Sequence, residues 1–460
     1  MKLALLGGGG FRVPLVYRTL MQDTSQGRVT ELRLYDTDPA RLRTMSSILT
    51  SMGAERADAP RIVLSTDLRE CVRGVDFIFS ALRVGGTRGR ALDEQIAQEL
   101  HLLGQETTGF GGISYALRGL PVALDIARTI AEVNPEAWLI NFTNPAGIVT
   151  EATRSILGDR VIGICDSPIG LARRALGALE SDGLAPEGTG ASTGLGDSPV
   201  RLDYIGLNHL GWLQGLEVDG RDLLPALLER GDLLELTEEG RLFGADWVRT
   251  LGCLPNEYLH YYYFARETVA ADADAELTRG RYLLGQQDAF FAEAAQAPER
   301  AAELWEATRR RREETYMATN REAAGGMERD EADLESGGYD RVALAIMHAI
   351  AHDRPAQLIL NVANGTQIDF LPADAVIEVP CIVDANGASA QRVSPVPVHG
   401  RGLVHTVKTV ERTVIAAVQE CSRDLAVEAL ALHPLIDGVG VARRALALAE
   451  DAFPELSYLR

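Results

Sequence analysis

Through the first 200 positions, short apolar runs alternate with longer amphipathic stretches. LALLG, ELRLYD, VDFIFSAL, AWLINFT and RVIGICD have the length and apolar content of strands buried in a sheet. Between them, PLVYRTLMQD, ARLRTMSSILTSM, LDEQIAQELHLL and PVALDIARTIAEV carry apolar residues at helical spacing. Strands alternating with helices predict an α/β fold with a doubly wound parallel sheet. RLDYIGLNHLGWLQGLEVDG then reads as strands joined by turns, and 223–351 as mainly helical. QLILNVANG and AVIEVPCIV return to strand, and helices close the chain from about 402. The polar stretch around 319–340 reads as a mobile loop or lid. The pattern divides the chain into a first domain, 1–200, and a mixed α+β second domain, 201–460.

Composition narrows the classes. With 45 basic and 65 acidic residues among 460, the net charge is −20, which argues against a nucleic-acid or membrane-surface partner. Lys2 and Lys408 are the only lysines, and neither sits in a Schiff-base or P-loop context. No apolar run reaches the roughly 18 residues that span a bilayer. The N-terminus turns glycine-rich too early for a signal peptide. Five scattered cysteines without a CxxC pair fit free thiols in a reducing cytoplasm.

Gly7, Gly8, Gly9 and Gly10, followed by Phe11 and Arg12, lie between the first strand and a helix marked by Pro14. Glycines there let backbone approach a pyrophosphate at the helix N-terminus, although Arg12 or Val13 replaces the usual third glycine. Asp36 ends the second strand, where an acid can bind ribose hydroxyls and disfavour a 2′-phosphate, so the expected cofactor is NAD. A glycine turn with a capping Asp is the plainer alternative. Cys165 ends the fifth apolar run, the place where ligands gather in open α/β sheets. One thiolate and one imidazole, that of His209, would suit a borderline divalent ion. Each is equally at home as a buried structural residue, and a separation of 44 positions does not pair them. Tyr258, Tyr261, Tyr262 and Tyr263 read as core or cleft wall, or as the source of a base. Arg90 and Arg279 are candidate phosphate clamps. Asn141 and Asn144, around the end of the fourth run, either bind hydroxyls or form the turn before Pro145.

FSALRVGGTRGRALDEQ, LGQETTGFGG, LINFTNPAGIVTEA, ICDSP, GLNHLGW, LPNEYLHYYY and EVPCIV, in this order, resemble glycoside hydrolase family 4, the NAD- and manganese-dependent glycosidases. That family stands apart from the glycosidases that hydrolyse with a pair of carboxylates. The resemblance implies a Rossmann-like sheet with a second α+β domain, an architecture of the lactate/malate dehydrogenase type. It implies that Cys165 and His209 hold Mn²⁺, that Tyr258 accepts a proton, that Asp166 donates one, and that Glu106 raises the basicity of the tyrosine. Arg90, Asn144, Asn208 and Arg279 fall at substrate positions; the glycine loop, Phe11, Arg12, Asp36, Arg83 and Asn144 fall at cofactor positions. The second domain would then supply substrate, metal and oligomerisation contacts, in a cytoplasmic homodimer or homotetramer.

The substrate implied is a phosphorylated disaccharide or glucoside. Cys-Asp-Ser-Pro fits neither glucosidase pattern fully, while NFTNPAGIVTEA and GLNH lean toward the 6-phospho-β-glucosidases over the 6-phospho-α-glucosidases. The chemistry implied is oxidation at carbon 3, elimination and water addition, with the hydride returned at the end. A simple sugar or hydroxy-acid dehydrogenase is the rival, with no need for Cys165, His209 or Tyr258. An NAD-bound sugar-phosphate sensor is a second.

Overall fold

The computed structural model describes residues 1–192, 200–274, 277–314 and 338–460. Strands β1 (Lys2–Leu6), β2 (Glu31–Tyr35), β3 (Arg61–Ser65), β4 (Phe77–Ser80), β5 (Trp138–Asn141) and β6 (Val161–Gly163) pair in parallel in the order 3-2-1-4-5-6. That is the strand order of dinucleotide-binding folds, in which ligands sit beyond the strand carboxyl ends. The crossovers include α1 (Val13–Gln22), α2 (Pro39–Gly53), α3 (Leu68–Val72), α4 (Gly86–Glu99), α5 (Gly109–Val133) and α6 (Ala146–Leu157); α7 (Ser167–Ser181) follows β6.

The strands of the second half extend the same sheet. β7 (Val200–Leu207) and β8 (Leu210–Val218) form a hairpin, with β9 (Arg221–Asp222) and β10 (Leu254–Pro255) on β8. β11 (Ala356–Ala363), β12 (Val376–Asp384) and β13 (Gly387–Ala390) complete it, giving 13 strands among the described residues. β11 pairs antiparallel with β6, and β12 pairs antiparallel with β7. One row of partners therefore crosses the sheet: Tyr35, Leu6, Ser80, Asn141, Gly163, Asn361, Glu378 and Gly206. A continuous apolar core, holding Leu5, Ile162, Trp212 and Leu360, lies along both halves.

β3 departs from the sequence reading, which passed over it. It is an edge strand, with Arg61 and Leu64 exposed, so it never shows as an apolar run. α5 begins twelve residues before Pro121, which read as its start and instead lies inside it. The proline removes the N–H that would meet Leu117 O, and Tyr458 Oη donates to that carbonyl at 2.9 Å instead. The closing helices, including Val398–Gln419, pack on α5 through Phe110, Leu117, Val414 and Leu446. Buried Lys408 fastens that helix to α6 through Glu151 at 3.0 Å. All five cysteines are free. Among the described residues no helix is long and apolar enough to cross a membrane. Positions 319–337 of the expected lid lie outside the described residues.

Candidate active site

A cleft of about 1350 Å³ opens over the carboxyl ends of the parallel strands and is closed on its far side by the hairpin and the Tyr258 segment. Its floor at one end is the glycine loop. Gly7 adopts φ +89°, and its N–H and that of Gly8 donate to Tyr35 O at 2.9 and 2.7 Å. A Cβ on Gly8 would stand 2.7 Å from Leu34 Cβ, and one on Gly9 would stand 2.7 Å from Arg41 Cβ. The loop can press on β2 only because these side chains are absent. Gly7, Gly9, Gly10, Phe11 and Arg12 line the cleft, whereas Gly8 faces β2 and serves the packing. Asp36 lines it too, although its carboxylate also accepts from Gly9 N–H at 2.9 Å and Asp38 N–H at 3.0 Å. The Phe11 ring is buried and packs edge-on to Phe290. The bare loop backbone and the start of α1 form a cradle suited to a dinucleotide.

At the centre, Cys165 Sγ lies 3.5 Å from His209 Nε2. Cys165 follows β6 by two residues, at the mouth of α7; because β3 went unread, the strand before it is the sixth and not the fifth. His209 stands in the two-residue turn between β7 and β8 with φ +62°, a left-handed conformation that costs a non-glycine residue about 1 kcal/mol or more. Thr107 Oγ1 gives its own proton to Gln105 Oε1 at 2.8 Å and so accepts from His209 Nδ1 at 3.1 Å. That tautomer leaves the Nε2 lone pair aimed at the sulfur. Burial pushes the imidazole down to about 4, keeping it neutral. Burial, and then the charges of Glu378 and Asp166, hold the thiol well above its usual range. The neutral imidazole and the sulfur converge on one point open to the cleft. Among the described residues no group of three or more His, Cys, Asp or Glu does so, so a divalent ion here would complete its shell with substrate or water oxygens.

The Tyr258 ring stacks on His209 with centroids 3.8 Å apart and planes within 18°. Its backbone N–H donates to Asn256 Oδ1 at 3.1 Å. Tyr258 and Tyr261 line the cleft, while the other two tyrosines turn away. Tyr262 Oη is bound to Thr108 Oγ1 at 2.5 Å and burial raises its pKa strongly. Tyr263 accepts from Trp212 Nε1 at 3.1 Å and is pushed up to about 12 by burial. Asp166 begins α7 without capping it and lines the cleft beside Cys165.

Glu106 is gripped by two guanidiniums, Arg83 Nη1 at 2.6 Å and Arg90 Nη1 at 2.9 Å. Burial works against its charge, but Arg83 and Arg90 hold it well below the usual carboxylate range. Arg83 thus serves Glu106 as well as lining the cleft. Arg90 Nε also donates to Glu94 at 2.8 Å, and Glu94 accepts from Gly280 N–H at 2.5 Å, tying the Arg279 end of helix Arg279–Gln296 to Arg90. Arg279 Nη2 donates to Arg312 O at 2.8 Å. Asn144 lines the cleft.

Two candidate positions turn away from the cleft. Asn141 spends its amide inside the turn, on Thr143 O, Ala146 O and Thr150 Oγ1, which is the turn-forming one of its two readings. Asn208 does not line the cleft; it donates to the buried carboxylate of Glu378 at 3.0 Å, which needs donors more than the cleft does. The roles of Thr107, Asn256 and Glu378 went unread, although each lies in a segment that carries the resemblance, because each acts through a neighbour. Arg312 lines the cleft as well, and helps hold Glu106 ionised.

Residues 2–180 match the sequence profile of family 4 glycosyl hydrolases, and 204–436 match the profile of the family 4 glycosyl hydrolase C-terminal domain. A 6-phospho-alpha-glucosidase of Lacticaseibacillus paracasei is 29% identical, with 98% of each chain covered. A 6-phospho-beta-glucosidase of Escherichia coli is also 29% identical, over 95% of this chain and 91% of that one. The 6-phospho-beta glucosidase of Thermotoga maritima, solved with manganese, NAD⁺ and glucose-6-phosphate, superposes over 100% of both chains with TM-score 0.79 at 26% identity. With its two profiles meeting on either side of one cleft, the chain belongs to glycosyl hydrolase family 4 and is a glycosidase.

Proposed function

We propose that the enzyme hydrolyses 6-phospho-β-glucosides with NAD⁺ and Mn²⁺, the cofactor being regenerated in each turnover. The observation that carries this reading is the position of His209, which has the Cys165 sulfur at its Nε2 and the Tyr258 ring against its face. When bound, NAD⁺ would supply a hydride acceptor for carbon 3 of the sugar, and Mn²⁺ on Cys165 and His209 a Lewis acid for its 2- and 3-oxygens. Residues 1–200 would carry the dinucleotide on Gly7, Gly9, Gly10, Arg12, Asp36 and Asn144. Residues 201–460 would supply His209, Tyr258, Arg279 and the contacts of a homodimer or homotetramer in the cytoplasm. Tyr258 removes the carbon-2 proton once the neighbouring carbon is a ketone, and Asp166 donates to the departing oxygen. Arg90 and Arg279, linked through Glu94, hold the 6-phosphate with their forked donors. Glu106 keeps Arg90 oriented and adds negative charge near His209.

The β-anomer is supported by the NFTNPAGIVTEA segment; the superposition does not choose, since a 6-phospho-alpha-glucosidase covers the whole chain with the same TM-score of 0.79 as the Thermotoga enzyme. The equal identity of the Lacticaseibacillus relative supports the α-anomer as the second reading. Paired α- and β-linked nitrophenyl glucosides, with and without 6-phosphate, separate the two. Hydrolysis of the phosphorylated β-substrate is expected, dependent on NAD⁺ and Mn²⁺, with no net NADH. Preferential α-cleavage would reverse the anomer. Stoichiometric NADH would instead make the enzyme a dehydrogenase. Arg90→Ala and Arg279→Ala should weaken phosphorylated substrates selectively; equal losses on both kinds would remove the arginine from the phosphate.

A further inference from the structure

Glu378, on β12, is fully buried and takes part in no step of the proposed reaction. Oε1 accepts from Asn208 Nδ2 at 3.0 Å and from Asn361 Nδ2 at 2.9 Å, and Oε2 accepts from Tyr204 Oη at 3.1 Å. All three donors are uncharged, unlike the guanidiniums on Glu106. Burial pushes this carboxyl up to about 7 despite them, with Asp166 adding to the rise. A buried acid of this kind is costly unless something nearby repays it.

Its place in the sheet shows what it reaches. Glu378 pairs with Asn361 within the sheet, and these two residues form the junctions with β7 and β6 at Gly206 and Gly163. Both outer partners are glycines. A Cβ on Gly163 would meet Asn361 Cβ at 2.8 Å, so its missing side chain leaves room for Asn361, whereas a Cβ on Gly206 would meet the Leu210–Gly211 backbone of the hairpin. Cys165 follows Gly163 by two residues, and Asn208 follows Gly206 by two. The Glu378–Asn361 pair therefore lies between the strands from which the sulfur and the imidazole emerge, and Glu378 ties down Asn208 beside the left-handed His209. A second arm runs from Tyr204 Oη, which accepts from Asn256 Nδ2 at 3.4 Å, and Asn256 Oδ1 holds the Tyr258 N–H.

We infer that Glu378 is a positioning residue: it fixes the spacing and charge environment of the Cys165–His209 pair through Asn208 and Asn361, and it braces Tyr258 through Tyr204 and Asn256. The inference rests on the proposed roles of those three residues. One arm serves metal affinity and the other serves proton removal, so the two separate experimentally.

Mn²⁺ affinity is measured on the full-length protein without substrate, from the electron paramagnetic resonance of free Mn²⁺, alongside kcat, KM and thermal melting. Glu378→Gln, close in size but without charge and offering an NH₂ where acceptors are needed, should weaken Mn²⁺ binding about 10- to 100-fold. NAD⁺ affinity should stay at the parental value. Tyr204→Phe should lower kcat with KM and Mn²⁺ affinity unchanged. Parental Mn²⁺ affinity in a folded Glu378→Gln overturns the first arm, and parental kcat in Tyr204→Phe overturns the second. If Glu378→Gln does not fold, Asn208→Ala, which removes only the link to the His209 turn, takes its place: weakened Mn²⁺ binding is expected, and parental affinity overturns the first arm. A parent enzyme with no Mn²⁺ affinity would sink the metal reading itself, which distinguishes that failure from the failure of this one.

Discussion

The two halves of the sheet deliver chemistry in different ways. On the parallel side, the cleft is floored by backbone: glycines pressed on β2, amides at the start of α1, and residues just past the strand ends. On the antiparallel side it is walled by side chains held in unusual places, with an imidazole on a left-handed turn and a tyrosine ring laid against it. The buried acids divide the same way. Glu106, leaving the parallel half, is neutralised by two arginines, while Glu378 meets only neutral donors. A dinucleotide needs close approach and little else from its floor, so backbone suffices there. Proton and metal chemistry need particular atoms at particular distances, and these have to be braced.

That contrast can be broken by substitution. The largest effect is expected at Tyr258. Tyr258→Phe should lower kcat by about 10²–10⁴ with NAD⁺ binding kept, and product formed in deuterated water should no longer gain deuterium at carbon 2. Unchanged deuterium uptake would place the base elsewhere. Tyr261 would then be the next residue to test, since Tyr262 is buried against Thr108. Thr107→Val removes the acceptor that fixes the His209 tautomer and should weaken Mn²⁺ about 10- to 100-fold, read by equilibrium dialysis. An unaltered affinity would mean that the turn alone orients the ring.

Gly8→Ala tests the other half. Its Cβ would meet the Leu34 backbone and Tyr35 N at 2.9 Å, so overpacking should cost about 1–3 kcal/mol of stability and weaken NAD⁺, while Mn²⁺ affinity stays at the parental level. Loss of Mn²⁺ binding in that variant would show that the two halves are not separable. The smallest effect concerns His433, which accepts from Gly109 N–H at 3.2 Å behind the 105–108 loop. Burial pushes its imidazole down to about 3 from 6.5. The unfolded chain gains a proton near pH 6.5 that the folded chain refuses, so stability is lost as pH falls from there toward 3. His433→Asn should flatten that limb of a melting-temperature profile; an unchanged slope would assign acid sensitivity to other groups.

The same contrast governed what could be read from the chain. Periodicity found β1, β2, β4, β5 and β6, because strands covered on both faces print as apolar runs. It passed over β3, whose exposed edge carries Arg61. Pro121 read as a helix start because the hydroxyl that rescues its helix comes from Tyr458, 337 positions away. The glycine loop was legible locally, since its chemistry is its backbone. Cys165, His209 and Tyr258 were visible as residues but became a constellation only through resemblance. Glu378 and Thr107 lie in the resembling segments EVPCIV and LGQETTGFGG, but their roles could not be read there, because what they do is defined by partners 170 and 102 positions distant.

The row of residues across the sheet also bears on how the chain can misfold. Side chains on a strand alternate between faces, so a slip of one residue between β12 and β7 would turn Glu378 to the opposite side. β12 is apolar on both faces, with Val376, Ile377, Val379 and Cys381 all buried, so such a slip would leave the greasy content of the strand nearly intact. A slipped molecule could therefore stay compact and keep its helix content while losing the atoms that organise the centre. For this protein, specific activity is a gauge of strand register, and it would detect misassembly that circular dichroism or gel filtration would pass.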